Sequence, residues 1–166
     1  MKKSIIIFTA ATLILGCSKA EPGLNDSSEM RFAPQFFANN TKATESAFES
    51  GDKIGLFVTQ YNGVDAFPLQ ISGNYSNNSA VTFNGTKWSA QPAIFWADGR
   101  FDIYAYYPYQ TLISVDEQPF SVALDQSTAE NGEVLSGYEA SDFLWANNIG
   151  VTKMDIVPLV FKHKMS

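Results

Sequence analysis

The feature that most constrains the fold of this chain is a series of short segments in which apolar and polar residues alternate, separated by Gly, Asn, Asp, Ser or Pro. Residues 101–109, FDIYAYYPY, are the clearest example: every second residue from Phe101 through Ile103 to Tyr107 lies on one face. Pro108 then ends the segment because it has no N–H to donate to a ladder. This period of two predicts a β-strand that ends at Tyr107, with Phe101, Ile103 and Tyr107 in a core.

Similar short segments recur along the chain, whereas long helical stretches rich in Leu, Ala, Glu and Lys are missing. Strands at such spacing, with turns between them, favour an antiparallel β-sandwich. Trp96 stands in an apolar run before a Gly turn and is assigned to the same core. Asn-Gly at residues 84–85 predicts a tight hairpin turn. The predicted strands are residues 53–60, 80–83, 86–89, 101–107, 120–124, 143–145 and 157–163.

The N-terminus has the layout of an export signal. Lys2 and Lys3 precede an apolar run over residues 4–15, which has the length of a secretory h-region and is too short to span a bilayer comfortably. Gly16 then stands directly before Cys17, the only cysteine of the chain. A lone cysteine is often a buried thiol. In this position it predicts cleavage between Gly16 and Cys17 and lipidation of Cys17, which would anchor the exported chain to a membrane.

Charge and residue counts argue against several classes of function. The net charge is −6, and −8 without Lys2 and Lys3, so nucleic acid is not expected as a partner. There is one histidine and no second cysteine, and the sequence contains no zinc spacing, phosphate loop or catalytic motif. His163 lies on the alternating face of the last predicted strand and is assigned to packing rather than to general-base work. We therefore expect no metal, no cofactor and no enzymatic activity.

Six aromatic residues leave a binding function open, because exposed rings could stack on sugars. The same rings are suited to filling a sandwich core. We assign Trp96 and Tyr107 to the core and leave Tyr104 and Tyr106 open between the two interpretations. The six residues are Trp88, Trp96, Tyr104, Tyr106, Tyr107 and Tyr109.

Four longer blocks occur in a fixed order: GDKIGLFV at residues 51–58, AIFWADGRFDIYAYYPY at 93–109, SDFLWA at 141–146 and VPLVFKHKMS at 157–166. Their order and spacing resemble the fimbrillin-like family of Gram-negative anaerobes, which comprises type V pilins and pilus-associated lipoproteins. The resemblance implies a transthyretin-like β-sandwich of about seven strands. It also implies a longer protein with two such domains, so we expect this chain to be the N-terminal half.

The resemblance further implies assembly by strand exchange, in which a protease removes the first strand and a strand of another subunit fills the groove. The removable strand maps onto residues 30–38, with Met30, Phe32 and Phe36 on one face. Pro34 marks this segment as an edge or isolated strand.

The maturation cut maps between Lys42 and Ala43, in the polar stretch NNTKATES. An ordinary solvated linker lysine is the alternative interpretation of Lys42. Arg31 is a second candidate for the cut, but cleavage there would leave nearly all of the strand attached.

The sequence is thus interpreted as three parts: residues 1–16 as a lipoprotein signal peptide, residues 17–45 as a lipidated tether with the removable strand, and residues 46–166 as a β-sandwich domain. The expected function is that of a structural or adhesive fimbrium subunit at the cell surface, with other pilin subunits as partners through strand addition. A glycan-binding outer-surface lipoprotein is the alternative. A host protein or glycan is left open as the adhesive ligand, and shaft, anchor and tip roles are not separated.

Overall fold

The computed structural model describes residues 28–37, 47–116 and 143–163, and every regular element in these ranges is a β-strand. The all-β class predicted from the sequence is confirmed, with eight strands where about seven were predicted. Within the described ranges, no helix is long and apolar enough to cross a membrane. The strands are β1 (Phe32–Phe36), β2 (Lys53–Asn62), β3 (Asp65–Ala66), β4 (Ser76–Phe83), β5 (Trp88–Gln91), β6 (Phe101–Tyr107), β7 (Leu144–Val151) and β8 (Val157–His163).

The strands form one curled sheet in the order β1-β8-β7-β6-β2-β4-β5, with β3 attached to β2. All neighbours are antiparallel except β1 and β8, which run parallel. The sheet turns back on itself just before β1, where the Met30 N–H donates to the Ile94 carbonyl at 2.7 Å and the Trp96 N–H donates to the Ser28 carbonyl at 2.5 Å. The segment that precedes β1 therefore meets the segment that follows β5, and the curled sheet faces itself across one core, as in a sandwich.

The core fills the inside of this curl. The two central strands β2 and β6 and the outer strand β8 each contribute alternate residues to it. Strands β2 and β6 are also largely buried on their opposite faces. On β8 these are Val157, Leu159 and Phe161, none of them more than 1% exposed. The four residues that the sequence assigned to the core belong to this cluster and are at most 8% exposed: Trp96, Phe101, Ile103 and Tyr107.

Strands β6 and β8 have the predicted bounds, because their alternation is strict. Two strands are longer than predicted: β7 continues to Val151, and β4 begins at Ser76, four residues before the predicted start. The additional residues are mostly polar, and they belong to the strands because their backbones pair with neighbouring strands. Among them, Asn78 has φ 40°, and it lies where the β2–β4 register shifts. The predicted strand over residues 120–124 lies outside the described residues.

The hairpin predicted at Asn-Gly joins β4 and β5, but its turn is longer than expected. Asn84 Oδ1 accepts hydrogen bonds from the backbone N–H groups of Thr86 and Lys87 at 3.0 and 2.9 Å, and Gly85 takes a positive φ of 87°. The turn therefore occupies residues 84–87. The strand predicted over residues 86–89 is wrong in its first two residues, and the observed strand starts at Trp88.

Candidate functional site

Strand β1 lies at the edge of the sheet, in agreement with the edge position predicted from Pro34. It pairs in parallel with β8 over its whole length, from Phe32 opposite Val157 to Phe36 opposite Phe161. Backbone hydrogen bonds close both ends of this pairing: the Val157 N–H donates to the Arg31 carbonyl at 2.8 Å, and the Phe37 N–H donates to the Phe161 carbonyl at 2.9 Å. A five-residue strand is thus the sole ladder partner of β8 on that side among the described residues.

On its other side, β8 is barely paired. Strands β7 and β8 share only two residue pairs, Leu144 with His163 and Trp145 with Lys162. Further along, the Asn148 side-chain amide donates to the Pro158 carbonyl at 3.2 Å. An opening of about 300 Å³ lies between the two strands, lined among others by Asn147. Most of β8 therefore depends on β1 for its backbone hydrogen bonds.

The apolar side chains of β1 seal the core. Met30 and Phe32 are 2% and 4% exposed and belong to the main hydrophobic cluster. Phe36 is half-buried and packs against the same cluster. The three residues that the sequence placed on one face of this segment thus all contact the core. Phe37, the next residue, is 49% exposed, with the Lys162 ammonium 5.1 Å from the centre of its ring.

Phe48 is the residue of this site that sequence reasoning missed. Its ring stacks on Phe36 with centroids 4.4 Å apart and makes edge contacts with Trp88, Tyr107 and Phe161 at 5.0, 5.5 and 5.7 Å. A single aromatic residue in a polar stretch has no period, so alternation could not detect it. The usable signal was the presence of one large apolar side chain among small and charged neighbours.

The six aromatic residues considered as a sugar platform do not form one exposed surface. Trp96 and Tyr107 lie in the core, and Trp88 packs between Phe83 and Phe48. Tyr106, which the sequence left open, is fully buried on the opposite face of β6. Tyr104 is half-buried beside Trp145, with ring centroids 5.9 Å apart. Tyr109 is 37% exposed.

Tyr106 is held by its hydroxyl as well as by its ring. The hydroxyl lies 2.6 Å from both Asn78 Oδ1 and the Gln110 carbonyl, either of which can accept its proton. Burial raises the pKa of Tyr106 to about 12. Gly55 lies directly against this ring, and a Cβ at that position would meet the ring. The outer face of the central strands is therefore packed around Tyr106, which favours a structural role.

Asp102 is a buried carboxylate on the same face, and its contacts indicate a structural role. Its Oδ1 accepts the Gly150 N–H at 2.7 Å, and Tyr104 donates its hydroxyl to Oδ2 at 3.4 Å. Gly150 has φ 69° at the irregularity in the β6–β7 register. Burial, followed by the charge and hydrogen bond of Asp102, raises the pKa of the Tyr104 hydroxyl. Asp102 thus fixes a bulge in β7.

The remaining candidates for chemistry do not assemble. His163 is exposed at the end of β8, so its assignment to packing is wrong, since the strand leaves the core after Phe161. In the described ranges, no group of three His, Cys, Asp or Glu residues is arranged to hold a metal ion. Gly16, Cys17, Lys42 and Ala43 lie outside the described residues.

The comparisons with known proteins agree on one family. The profile of the family described as fimbrillin-like matches residues 41–166. The chain is 27% identical over 175 residues to a candidate fimbrium subunit, Fim1C, of Bacteroides uniformis, and the alignment covers 99% of this chain and 54% of the relative.

Two solved structures from Bacteroides ovatus share the fold. A fimbrial protein matches with a TM-score of 0.56 and 23% identity over 84% of this chain and 29% of its own. A candidate cell adhesion protein matches with a TM-score of 0.55 and 25% identity over 83% of this chain and 52% of its own. The chain thus spans about half the length, or less, of these relatives.

Proposed function

The chain belongs to the fimbrillin-like family, and from this premise we propose that it is a structural or adhesive fimbrium subunit that joins its neighbours by strand exchange. In this proposal, β1 is removed by proteolysis and a strand of a neighbouring subunit takes its place beside β8. The subunit is non-enzymatic and acts at the cell surface.

The pairing of β8 is the observation that carries this proposal. Without β1, β8 would keep only the two residue pairs that it shares with β7. The apolar side chains of Val157, Leu159 and Phe161 would also lose their cover. An unpaired edge beside an apolar groove is the combination that an added strand satisfies, because it supplies both backbone partners and buried side chains.

An aromatic contact between the segment that would be removed and the domain that would remain supports the same proposal. Phe36 belongs to the segment that would leave, whereas Phe48 follows the proposed cut between Lys42 and Ala43 and would stay with the domain. After removal of β1, the face of Phe48 that stacks on Phe36 would be open at the edge of the groove. A donor strand with an aromatic residue at this position would restore that contact.

The proposed route to the surface begins with the N-terminal signal. Residues 1–16 are removed, Cys17 is lipidated, and residues 17–45 hold the domain at the outer membrane until the cut after Lys42 releases it. The domain over residues 46–166 then remains as the body that accepts the donor strand. Its adhesive ligand is a surface protein or glycan of the host.

Limited trypsin digestion tests the cut. We expect the first cleavage at Lys42, while the body from Ala43 onward resists, because Lys53 lies at the start of a paired strand and Arg31 is fixed by its hydrogen bond to Val157. Lys42→Gln should abolish this cleavage, and Lys53→Gln, the matched control, should leave it unchanged. N-terminal sequencing of the fragments identifies the site.

Strand exchange is then measured on the trimmed chain. A fluorescent peptide with the sequence of residues 28–38, SEMRFAPQFFA, should displace the nicked strand and bind with 1:1 stoichiometry, whereas the same peptide with Phe32→Ser should not. Cleavage throughout the body would contradict the proposed cut. A trimmed chain that does not exchange its strand with the peptide would contradict the exchange mechanism.

A further inference from the structure

The exposed apolar side chains of this domain are gathered at one end of the sheet, where β1 and β8 begin and β2 and β7 finish. Eight of the eleven large exposed hydrophobic residues in the described ranges lie there. Val64 in the β2–β3 turn is 81% exposed, Phe67 after β3 is 55% exposed, and Phe95 after β5 is 43% exposed. We call this surface the apolar pole. Its other members are Ile71, Tyr75, Ile149, Met154 and Ile156.

Hydrogen bonds join three of the loops at the apolar pole: the β2–β3 turn, the loop before β4 and the loop before β6. The Tyr75 hydroxyl donates to the Phe95 carbonyl at 2.8 Å, which ties the loop before β4 to the loop before β6. The Arg100 guanidinium donates to the Val64 carbonyl at 3.3 Å and lies over the Tyr61 ring at 4.4 Å. The Phe67 N–H donates to the Gln60 carbonyl at 3.4 Å. The apolar side chains are therefore presented on connected loops.

A contiguous apolar patch at the surface of a folded domain usually marks an interaction site. We propose that the apolar pole is the docking surface for the body of the neighbouring fimbrial subunit, the same subunit that supplies the strand beside β8. This inference rests on the proposed function, which gives the neighbour, and adds the surface that its folded body covers.

The position of β1 directs the neighbour to this end. A strand of five residues is about 17 Å long, so the body of a subunit that places such a strand beside β8 lies just beyond one of its two ends. One end is the apolar pole, where Phe32 pairs with Val157. Outside the apolar pole, the exposed large apolar side chains of the described ranges are Phe37, Tyr109 and Ile113, and Phe37 would leave with β1. The apolar pole has the larger exposed apolar area, so we place the body of the neighbouring subunit at this end.

The charges around the apolar pole favour a protein partner over a lipid surface. The exposed carboxylates among the apolar residues are Asp65, Asp98 and Asp155. The exposed cations that remain after the removal of β1 are Arg100 and Lys153, because Arg31 leaves with that segment. Carboxylates are costly to place in a bilayer interface and are repelled by anionic headgroups. An apolar centre with a charged rim is instead the usual arrangement of a protein interface. The partner surface is therefore apolar with lysines or arginines around it.

Photo-crosslinking in fimbriated cells tests the inference with the protein in its own assembly. A benzoylphenylalanine at position 67 reports the apolar pole, and one at position 109 is the control, because Tyr109 is exposed at the opposite end and stays with the body after the cut. One at position 160 reports strand addition because Val160 pairs with Gln35 of β1. Mass spectrometry identifies the partner. We expect position 67 to label a fimbrillin-like subunit at least about tenfold more than position 109, because only position 67 lies in the surface that the neighbour covers.

The three positions separate the two proposals. Labelling of a subunit from position 160 alone overturns the docking surface and leaves strand addition intact, whereas labelling from position 67 alone supports the docking surface and contradicts strand addition. Phospholipid adducts at position 67 overturn the inference in favour of a membrane contact. Absence of subunit adducts at both positions overturns both proposals. As a second arm, Phe67→Ser combined with Phe95→Ser should lower surface fimbriae about tenfold, whereas Tyr109→Ser should not. Unchanged fimbriation in the double variant would overturn the inference.

Discussion

The contact between Phe36 and Phe48 can be measured directly, because the two rings meet across the boundary between the strand that would leave and the domain that would remain. The perturbation is a double-mutant cycle with Phe36→Ala, Phe48→Ala and the combined variant in the untrimmed chain. Each replacement removes one ring and leaves the backbone hydrogen bonds of β1 in place. The cycle therefore isolates the side-chain part of strand docking.

The expected magnitudes follow from the number of partners. Phe48 contacts four aromatic rings, and emptying a large aromatic site costs about 3–5 kcal/mol when it is fully buried, so the half-buried Phe48 should lose about 3 kcal/mol of unfolding free energy. Phe36 stacks on one aromatic ring of the described residues, that of Phe48, and is also half-buried, so its replacement should cost about 1–1.5 kcal/mol. A stacked pair at 4.4 Å contributes about 0.5–1.5 kcal/mol beyond burial, and the coupling should lie in this range.

Urea unfolding followed by tryptophan fluorescence provides the assay, with Phe37→Ala as the matched control. Phe37 is adjacent in sequence and half-exposed, so its replacement should cost less than about 0.5 kcal/mol. Additive effects of Phe36→Ala and Phe48→Ala, or a loss for Phe48→Ala no larger than for Phe37→Ala, would refute the assignment of Phe48 as the aromatic centre of this site.

Four further predictions concern other parts of the molecule. In urea titrations, Tyr106→Phe should lower the unfolding free energy by about 1–2 kcal/mol and Tyr104→Phe by less than about 0.5 kcal/mol, because only the first of these hydroxyls makes short hydrogen bonds. The parent protein should also lose stability between pH 10 and about 12, where the unfolded state releases the phenolic proton that folded Tyr106 retains. Tyr106→Phe should lose less stability over this pH range. Gly55→Ala should lower the unfolding free energy by about 3 kcal/mol or more, since its Cβ would overlap a ring that is fixed at both ends, and calorimetry would detect this as a lower melting temperature. Trp96→Ala should cost about 3–5 kcal/mol in urea titrations, whereas Trp96→Phe should cost much less, because the buried indole N–H has no hydrogen-bond partner among the described residues. Cys17→Ala should abolish metabolic labelling with a fatty-acid analogue and release the protein from the membrane fraction; an unchanged label would contradict lipidation.

The alternation of apolar and polar residues predicts the bounds of a strand correctly where one face of the strand is buried and the other is exposed to solvent. Strand β8 follows this rule, and its bounds were predicted to the residue. The bounds of β6 were predicted equally well, although Tyr106 and Asp102 on its opposite face are also buried. The prediction from alternation failed where a strand is defined by backbone pairing rather than by side-chain burial. In β7 the residues from Ala146 to Gly150 include Asn147 and Asn148, which resemble a turn, yet they pair with β6 around a bulge that Asp102 fixes. A side chain from another strand is invisible to a local pattern.

The site was predicted in part for the same reason. The segment around Phe32 was recognisable as an extended apolar strand, and Pro34 indicated an edge. The pairing of this segment with β8 was not predicted, because the two strands are more than a hundred residues apart and nothing in the local sequence of either strand specifies the other. The role of Phe48 was not predicted because its aromatic partners come from four different strands, β1, β5, β6 and β8. Convergence of distant strands on one ring is a property of the fold alone.

The energetics of β1 explain why a strand that is to be exchanged must also be well packed. Full burial of Met30 and Phe32 contributes about 1.5–3 kcal/mol each, and the half-buried Phe36 adds less. This sum of several kcal/mol is a large fraction of the 5–15 kcal/mol that stabilises a typical domain. A domain that has lost β1 is therefore poorly stable alone, and the free energy that β1 contributed becomes available to whichever strand replaces it. Because the same groove determines both the stability of the free subunit and the affinity for its neighbour, a variant that weakens the packing of β1 should weaken both together. Substitutions at the apolar pole should instead affect assembly while leaving the stability of the free subunit unchanged.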